Sequence, residues 1–234
     1  MDTGPKTTLS EQMYRRLRAD IVKGVLRPEQ PLRLDALKKT YAAGFSPLRE
    51  ALTRLQAERL VTSVPLKGFV VTPVSLDQMW DTIETRILIE TRALRLAIAQ
   101  GDDGWEAGIV ASLHGLGKQV ARIAALPDPA DEDQQALEQR HHAFHRALIA
   151  GCGSDWLLDL SEKLYIAAER YRFPSLSRGA GRPTRDVQAE HEALAKAALA
   201  RDADRAAALL DAHFRATGEQ MAQSGAAVPP RQSA

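Results

Sequence analysis

Four of the six histidines in this chain are spaced as metal ligands would be. The six are His114, His141, His142, His145, His191 and His213. On a helix, His141 and His145 stand four residues apart, one above the other on one face, which makes them a chelating pair. His191 lies 10 residues before Arg201, and His213 lies 11 residues after Asp202. If two helices meet in an antiparallel hairpin near those two residues, a rise of about 1.5 Å per residue brings both imidazoles to nearly one height. Three helices facing a common interior would then converge four imidazoles. The competing reading is a set of solvated or hydrogen-bonded histidines with no ion. Imidazole suits zinc, nickel, copper or iron, and spacing alone does not choose among them. His142 lies about 100° round the helix from His141 and is set aside. His114 has no histidine partner at helical spacing.

Catalysis would need more than ligands. A di-metal carboxylate enzyme requires two Glu-x-x-His motifs and further inward glutamates. Glu138 and His141 form one such motif, and no second is present. A metallohydrolase requires a general base and an open metal position. Glu190 and Glu192 are the nominees, and nothing singles either out. Arg86 shares a helix side with Ile83, Glu90 and Leu94, so it is expected to point inward, where its planar fork suits a carboxylate. The plainer alternative is that Arg86 only pairs with Glu84 or Glu90. Arg170, Tyr171 and Arg172 form a second basic cluster. It either flanks the mouth of a cavity, where Arg170 and Arg172 would meet a ligand, or complements a helix end.

Those residues need helices to hold them, and the chain supplies the pattern. Its 234 residues allow one large domain or two modest ones. A hydrophobic content of 44% with 26% charged residues excludes global disorder. No apolar run reaches the roughly 18 residues of a membrane helix. Residues 1–12 are polar, unlike a signal peptide, so a cytoplasmic protein is expected. The single cysteine, Cys152, excludes an intrachain disulfide and a multi-cysteine zinc site. After Val74, Ala and Leu dominate, and helices are expected at about 76–100, 104–125, 132–151, 155–172, 184–200 and 202–222. Asp202 should cap the last. Residues 172–183 read as a Gly/Pro/Ser loop, and 226–234 as a frayed tail.

The N-terminal third differs. Residues 1–75 carry 13 Lys and Arg against 7 Asp and Glu, a net +6, while the remainder is −5. A basic segment joined to an acidic one suggests a nucleic-acid module. Leu9, Met13, Leu17 and Ile21 mark a helix from about Ser10, its expected N-cap, to Lys23, with Gly24 as the stop. Residues 27–31 read as a turn or loop. Leu34, Leu37 and Tyr41 mark a short second helix. Ser46 is expected to cap a third, with Pro47 at its first position and Leu48, Leu52 and Leu55 facing inward. Residues 60–63 and 69–73 read as a hairpin whose tip is Lys67-Gly68. This order builds a winged helix-turn-helix: a helix fits the major groove, shorter helices brace it, and the hairpin meets a phosphate or the minor groove.

The segment Leu37 to Gly68, with Ser46, Pro47, Leu48, Arg49, Glu50, Ala51 and Leu52, resembles the GntR-type winged-helix domain. Gly44 and Phe45 stand where that family has Ser-Arg, and Arg59 where glycine is common. The later part is similar to the FCD effector domain of the FadR subfamily, through Glu84, Arg86 and Glu90, then His141, Phe144 and His145, then His191 and His213. The resemblance implies a mainly α protein, with a winged helix-turn-helix at 1–75, an all-helical FCD-type bundle at 76–225 and a tail at 226–234. It implies a divalent metal, zinc or nickel, on His141, His145, His191 and His213, with His141 standing where the family has Asp. It also implies a carboxylate beside the metal, and the closest likeness is to carbon-starvation repressors that answer glutarate-type dicarboxylates.

The expectation is therefore a homodimeric, non-enzymatic repressor of double-stranded operator DNA, released by a small dicarboxylate such as glutarate. Ser46 and Arg49 would open the reading helix. Arg54, Lys38, Lys39, Lys67 and Gly68 would meet the DNA around it, and Arg86, Arg170 and Arg172 would meet the ligand. The alternatives are a helical metalloenzyme and a metal sensor tethered to DNA.

Overall fold

The computed structural model describes residues 8–177 and 185–223. It is mainly helical: α1 (Leu9–Val22), α2 (Leu34–Tyr41), α3 (Phe45–Ala57), β1 (Val61–Val64), β2 (Gly68–Val71), α4 (Leu76–Gln100), α5 (Asp103–Ala124), α6 (Asp131–Ile149), a short 3-10 turn at Ala150–Cys152, α7 (Asp155–Ser177), α8 (Val187–Leu199) and α9 (Ala203–Gln223). No helix among the described residues is long and apolar enough to cross a membrane. The expected tail at 226–234 lies outside the described residues.

The chain divides into two compact units that do not follow chain order. The described residues of the first are 8–82, 163–177 and 218–223, and those of the second are 83–162 and 185–217.

In the first unit the expected helix-turn-helix and hairpin are present, with changed caps. Thr8, not Ser10, caps α1, its hydroxyl accepting from the Glu11 amide at 3.2 Å. Ser10 instead donates to Glu50. Gly24 stops the helix at φ +74°, a conformation that suits a residue without Cβ. Gly44, not Ser46, caps α3, so Pro47 sits in the first turn, where its missing N–H leaves nothing unpaired. Ser46 Oγ donates to Glu50 Oε1 at 3.2 Å.

Leu48, Ala51, Leu52 and Leu55 all show 0% exposure, packed among Leu17, Leu37 and Leu60. The three- and four-residue spacing of these apolar positions turns Arg49, Glu50 and Thr53 outward. β1 and β2 pair antiparallel, Val61 with Val71 and Val64 with Gly68. The expected 27–31 loop does more than turn. Leu32 N–H donates to Phe69 C=O at 2.8 Å, and Pro31 bridges Val70. The loop thus lies along the outer side of β2, an edge position where proline is tolerated.

In the second unit α5 packs against α6 and α8. Asp102 caps α5 by accepting from the Trp105 amide at 2.9 Å, and the Trp105 indole donates to Leu148 C=O at 3.2 Å. Asp202 caps α9 as expected, accepting from the Arg205 amide at 3.1 Å. The α7 helix runs on to Ser177, so residues 172–177 of the expected loop are helical instead, and 178–183 lie outside the described residues. A proline at 174 forfeits one helical hydrogen bond, and the helix passes through it.

Because Leu52 is fully buried at the centre of the three-helix head, Leu52→Ala should destabilise it by about 2–5 kcal/mol. Urea unfolding followed by circular dichroism checks this. A loss below about 1 kcal/mol would mean that the cluster is not the core of the head.

Candidate functional site

The histidines come from three helices. His141 and His145 share one face of α6, His191 lies on α8 and His213 on α9. Asp186 caps α8, accepting from the Ala189 amide at 3.0 Å. Between α8 and α9, Arg201 takes φ +59° and donates to the Ile98 and Gly101 carbonyls at 2.8 and 2.9 Å. These bonds tie the α8–α9 turn to the end of α4. The expected equal height follows: the His191 and His213 ring centroids are 4.8 Å apart. One candidate ligand atom from each of the four histidines lies within 4.8 Å of the others. Phe144 and Phe214 wall the cluster, each 5.5 Å from the His145 ring.

His145, His191 and His213 are buried, and His141 is half-buried. Burial pushes the His145 imidazole well below its ordinary value, and its three neighbouring histidines push it the same way. Burial and His213 bring His191 down to about 3. Burial lowers His213 too, so His145, His191 and His213 are suited to the neutral form that donates a lone pair to a metal. Both ring nitrogens of His145 and Nε2 of His191 have no hydrogen-bond partner among the described residues. A buried nitrogen without a partner is costly, and a cation that accepts the lone pair removes that cost for the one nitrogen of each neutral ring that carries it. The residues present therefore fit a metal ion: a largely buried cluster of four nitrogen donors could hold one.

His213 is oriented from behind. Its Nδ1 lies 2.8 Å from Glu190 Oε2. Arg185 grips both oxygens of that carboxylate. Burial alone would raise the Glu190 carboxyl, but the hydrogen bonds from His213 and Arg185 outweigh it and hold it at about 2. An ionised carboxylate only accepts, so His213 Nδ1 carries the proton and Nε2 faces the cluster. The Arg185 nitrogen 3.0 Å from Nδ1 then donates to the His213 carbonyl, 2.9 Å away, instead.

From sequence Glu190 is a candidate only as a base, and Arg185 is not a candidate at all. No spacing rule marks either, because the contact crosses from α8 to α9. His142 points elsewhere, with Nε2 3.1 Å from Glu162 Oε2.

Arg86 is buried, with its Nε 2.8 Å from Glu90 Oε1 and its guanidinium 4.2 Å above the Phe214 ring. Its charge contributes to lowering both His145 and His213, which places it near the cluster. Arg86 is thus buried as expected, and of the two alternative partners, Glu84 and Glu90, it is Glu90 that balances its charge. Arg170 and Arg172 fall in the other compact unit. There Arg170 donates to the Thr72 carbonyl, and Arg172 lies 4.9 Å over the Tyr165 ring.

In the head, Ser46 and Arg49 are exposed on the first turns of α3. Lys38 and Lys39 are exposed on α2, and Lys67 with Gly68 forms the wing tip. Gly68 takes φ +74° there. Arg54 is differently placed from expectation. It pairs with Glu11 and lies 3.8 Å over the Tyr14 ring, so it braces α3 against α1.

Known proteins carry the same two parts. Residues 9–71 match the bacterial regulatory proteins of the gntR family, and residues 81–216 match the FCD domain. The chain is 41% identical over 213 residues to the HTH-type transcriptional repressor GlaR of Escherichia coli (strain K12), covering 89% of this chain and 93% of that one. It is also 41% identical over 218 residues to the HTH-type transcriptional regulator BphR of Paraburkholderia xenovorans (strain LB400), covering 93% and 87%. Among solved structures, E. coli McbR/YncC has the same fold, with a TM-score of 0.71 at 21% identity over 92% of this chain and 98% of that one.

Elemental analysis of protein purified without chelator should find about one divalent metal per chain, the capacity of one four-nitrogen site. A His191→Ala, His213→Ala double variant should find almost none. Unchanged metal content would discard the convergent site.

The pH dependence of the metal-free protein has a definite sign. The lowered His191 value contributes stability that is present above about 6.5 and declines as pH falls toward about 3, since the unfolded chain takes up the proton first. Melting curves from pH 8 to pH 4 should fall accordingly, and a flat profile over that range would contradict burial of a neutral His191.

Glu190→Gln keeps the shape but loses the charge that holds His213. It should weaken metal binding about 10- to 100-fold in a competitive chelator titration, with the helical circular dichroism unchanged. Unaltered affinity would remove Glu190 from the centre.

Proposed function

The chain belongs to the GntR family of bacterial regulatory proteins and carries an FCD domain, so it is a DNA-binding transcriptional regulator and not an enzyme, and from that premise we propose that it is a repressor released from operator DNA by a small dicarboxylate bound beside a metal ion. The observation that carries the effector is the charge balance around the histidines. Four neutral imidazoles add no charge. Arg185 pairs with Glu190, and Arg86 pairs with Glu90. A divalent ion therefore keeps its whole charge in a buried place, where an uncompensated charge is costly.

A carboxylate supplies the missing negative charge. Zinc or nickel suits four imidazoles, and the metal when bound supplies the positive centre that the carboxylate meets. Arg86, whose charge already acts on the cluster, would present its planar guanidinium to the same carboxylate. Glutarate is the first candidate, from the likeness to glutarate-responsive repressors. Arg170 and Arg172, engaged with Thr72 and Tyr165, are left out of the proposed ligand set.

On the DNA side, α3 would enter the major groove with Ser46 and Arg49 leading. Lys38, Lys39 and Lys67 would contact phosphates, making affinity fall steeply with salt. One short helix reads few base pairs, so a homodimer with half-sites about one helical turn apart is part of the proposal. Ligand would act by binding unequally to the arrangements of the two heads that fit and misfit the operator, with residues 73–77 as the linker. A chromosomal target places this work in the cytoplasm.

Titrating glutarate and related diacids into metal-loaded protein tests the effector class by calorimetry. Saturable binding is expected in the wild type, and binding at least about tenfold weaker in Arg86→Lys, which keeps the charge but not the fork. Equal affinity in both would remove Arg86 from the site, and no binding by any diacid would end the effector proposal.

A further inference from the structure

Phe45 is the first residue of α3, and 45% of it is exposed. Its neighbours Ala43 and Leu48 are buried, so the chain had an apolar interior within reach of this ring and did not use it. Instead the ring stands off the head with the Lys38 ammonium 4.8 Å from its centroid. A cation at that distance is attracted to the ring face, and it holds the ring at a set angle on the side that Ser46 and Arg49 also occupy. Arg49 lies one turn further along the same helix face.

We infer that Phe45 is a specificity-determining residue that selects a thymine by packing on its methyl group in the major groove. This rests on the operator-binding reading above, in which α3 enters that groove. The N-terminal residues of such a helix are the ones that meet base edges. A phenyl ring forms no hydrogen bond. Every base edge in the major groove presents a hydrogen-bond donor, an acceptor or both, and thymine alone adds an apolar group, the C5 methyl. Against guanine, cytosine or adenine the ring would strip water from polar groups and return nothing. Against thymine it covers a methyl. Lys38, over the ring, would meet the adjoining phosphate backbone and contribute affinity without sequence preference.

The probe is double-stranded DNA selected from a random-sequence pool by the wild-type, full-length, metal-loaded protein. Each thymidine of the selected site is then replaced in turn by deoxyuridine, which removes the methyl and nothing else. One position per half-site should show a loss of about fourfold in wild-type affinity, the factor for burying one methyl-sized group. Phe45→Ala should bind the thymine site more weakly and be indifferent to uracil at that position. Phe45→Leu, still apolar, should retain the sensitivity.

Because Phe45 is half exposed, all three proteins should melt alike, which separates lost reading from lost folding. A selected site with no uracil-sensitive position that depends on Phe45 would overturn this assignment alone. A wild type that selects no sequence at all would overturn the operator-binding reading itself.

Discussion

The interior of the second unit is organised by an electrostatic constraint: imidazole nitrogens have been taken out of water without protein partners to replace it. His145 lies buried with both ring nitrogens unbonded among the described residues, and His191 with one. Such an arrangement is unfavourable in an apolar bundle unless something accepts the one lone pair that each neutral ring offers. Packing alone would have favoured leucine at these positions. The helices are instead held so that four imidazoles meet: α6 presents two at one turn's spacing, and the α8–α9 hairpin presents the other two at one height. Arg201 is central to that hairpin, because its bonds to the Ile98 and Gly101 carbonyls fix the turn against the end of α4.

The surrounding charges are paired rather than scattered. Arg185 grips Glu190, Glu190 orients His213, and Arg86 grips Glu90 over Phe214. Each pair is neutral as a whole, so none cancels the charge of an ion held by the histidines. His141 matters to that balance. A carboxylate at its position would have offset part of the metal charge, whereas an imidazole leaves it intact.

The head obeys a separate logic. Its three helices are locked by a leucine core, and also by Arg54, which joins Glu11 and the Tyr14 ring and so ties α3 to α1. The outer face of α3 is left with polar and charged groups, apart from Phe45. The lateral bond of Leu32 to Phe69 gives the small hairpin a third edge, which steadies the wing that carries Lys67. Rigidity here serves recognition, since base edges are read by side chains held at set positions.

Much of this was legible without coordinates, for stated reasons. Helical periodicity located α1, α3 and the bundle helices, because burying one face demands apolar residues every three or four positions. The four histidines were readable because helical rise and period are fixed constants, so spacing translates directly into geometry. Caps were less legible. Ser10 and Ser46 are good capping residues, but their hydroxyls serve Glu50, and Thr8 and Gly44 take the caps. Partnerships between helices were not legible at all. Whether Arg54 would face DNA or Glu11, whether Arg86 would stand alone or pair with Glu90, and that Arg185 and Glu190 would stand behind His213 all depend on which helix faces become neighbours. Sequence determined the parts and the donors, since both follow from local repeat. Tertiary structure decided which charge meets which, because Coulombic and hydrogen-bond partners are set by distance in space, and no periodicity along the chain encodes it.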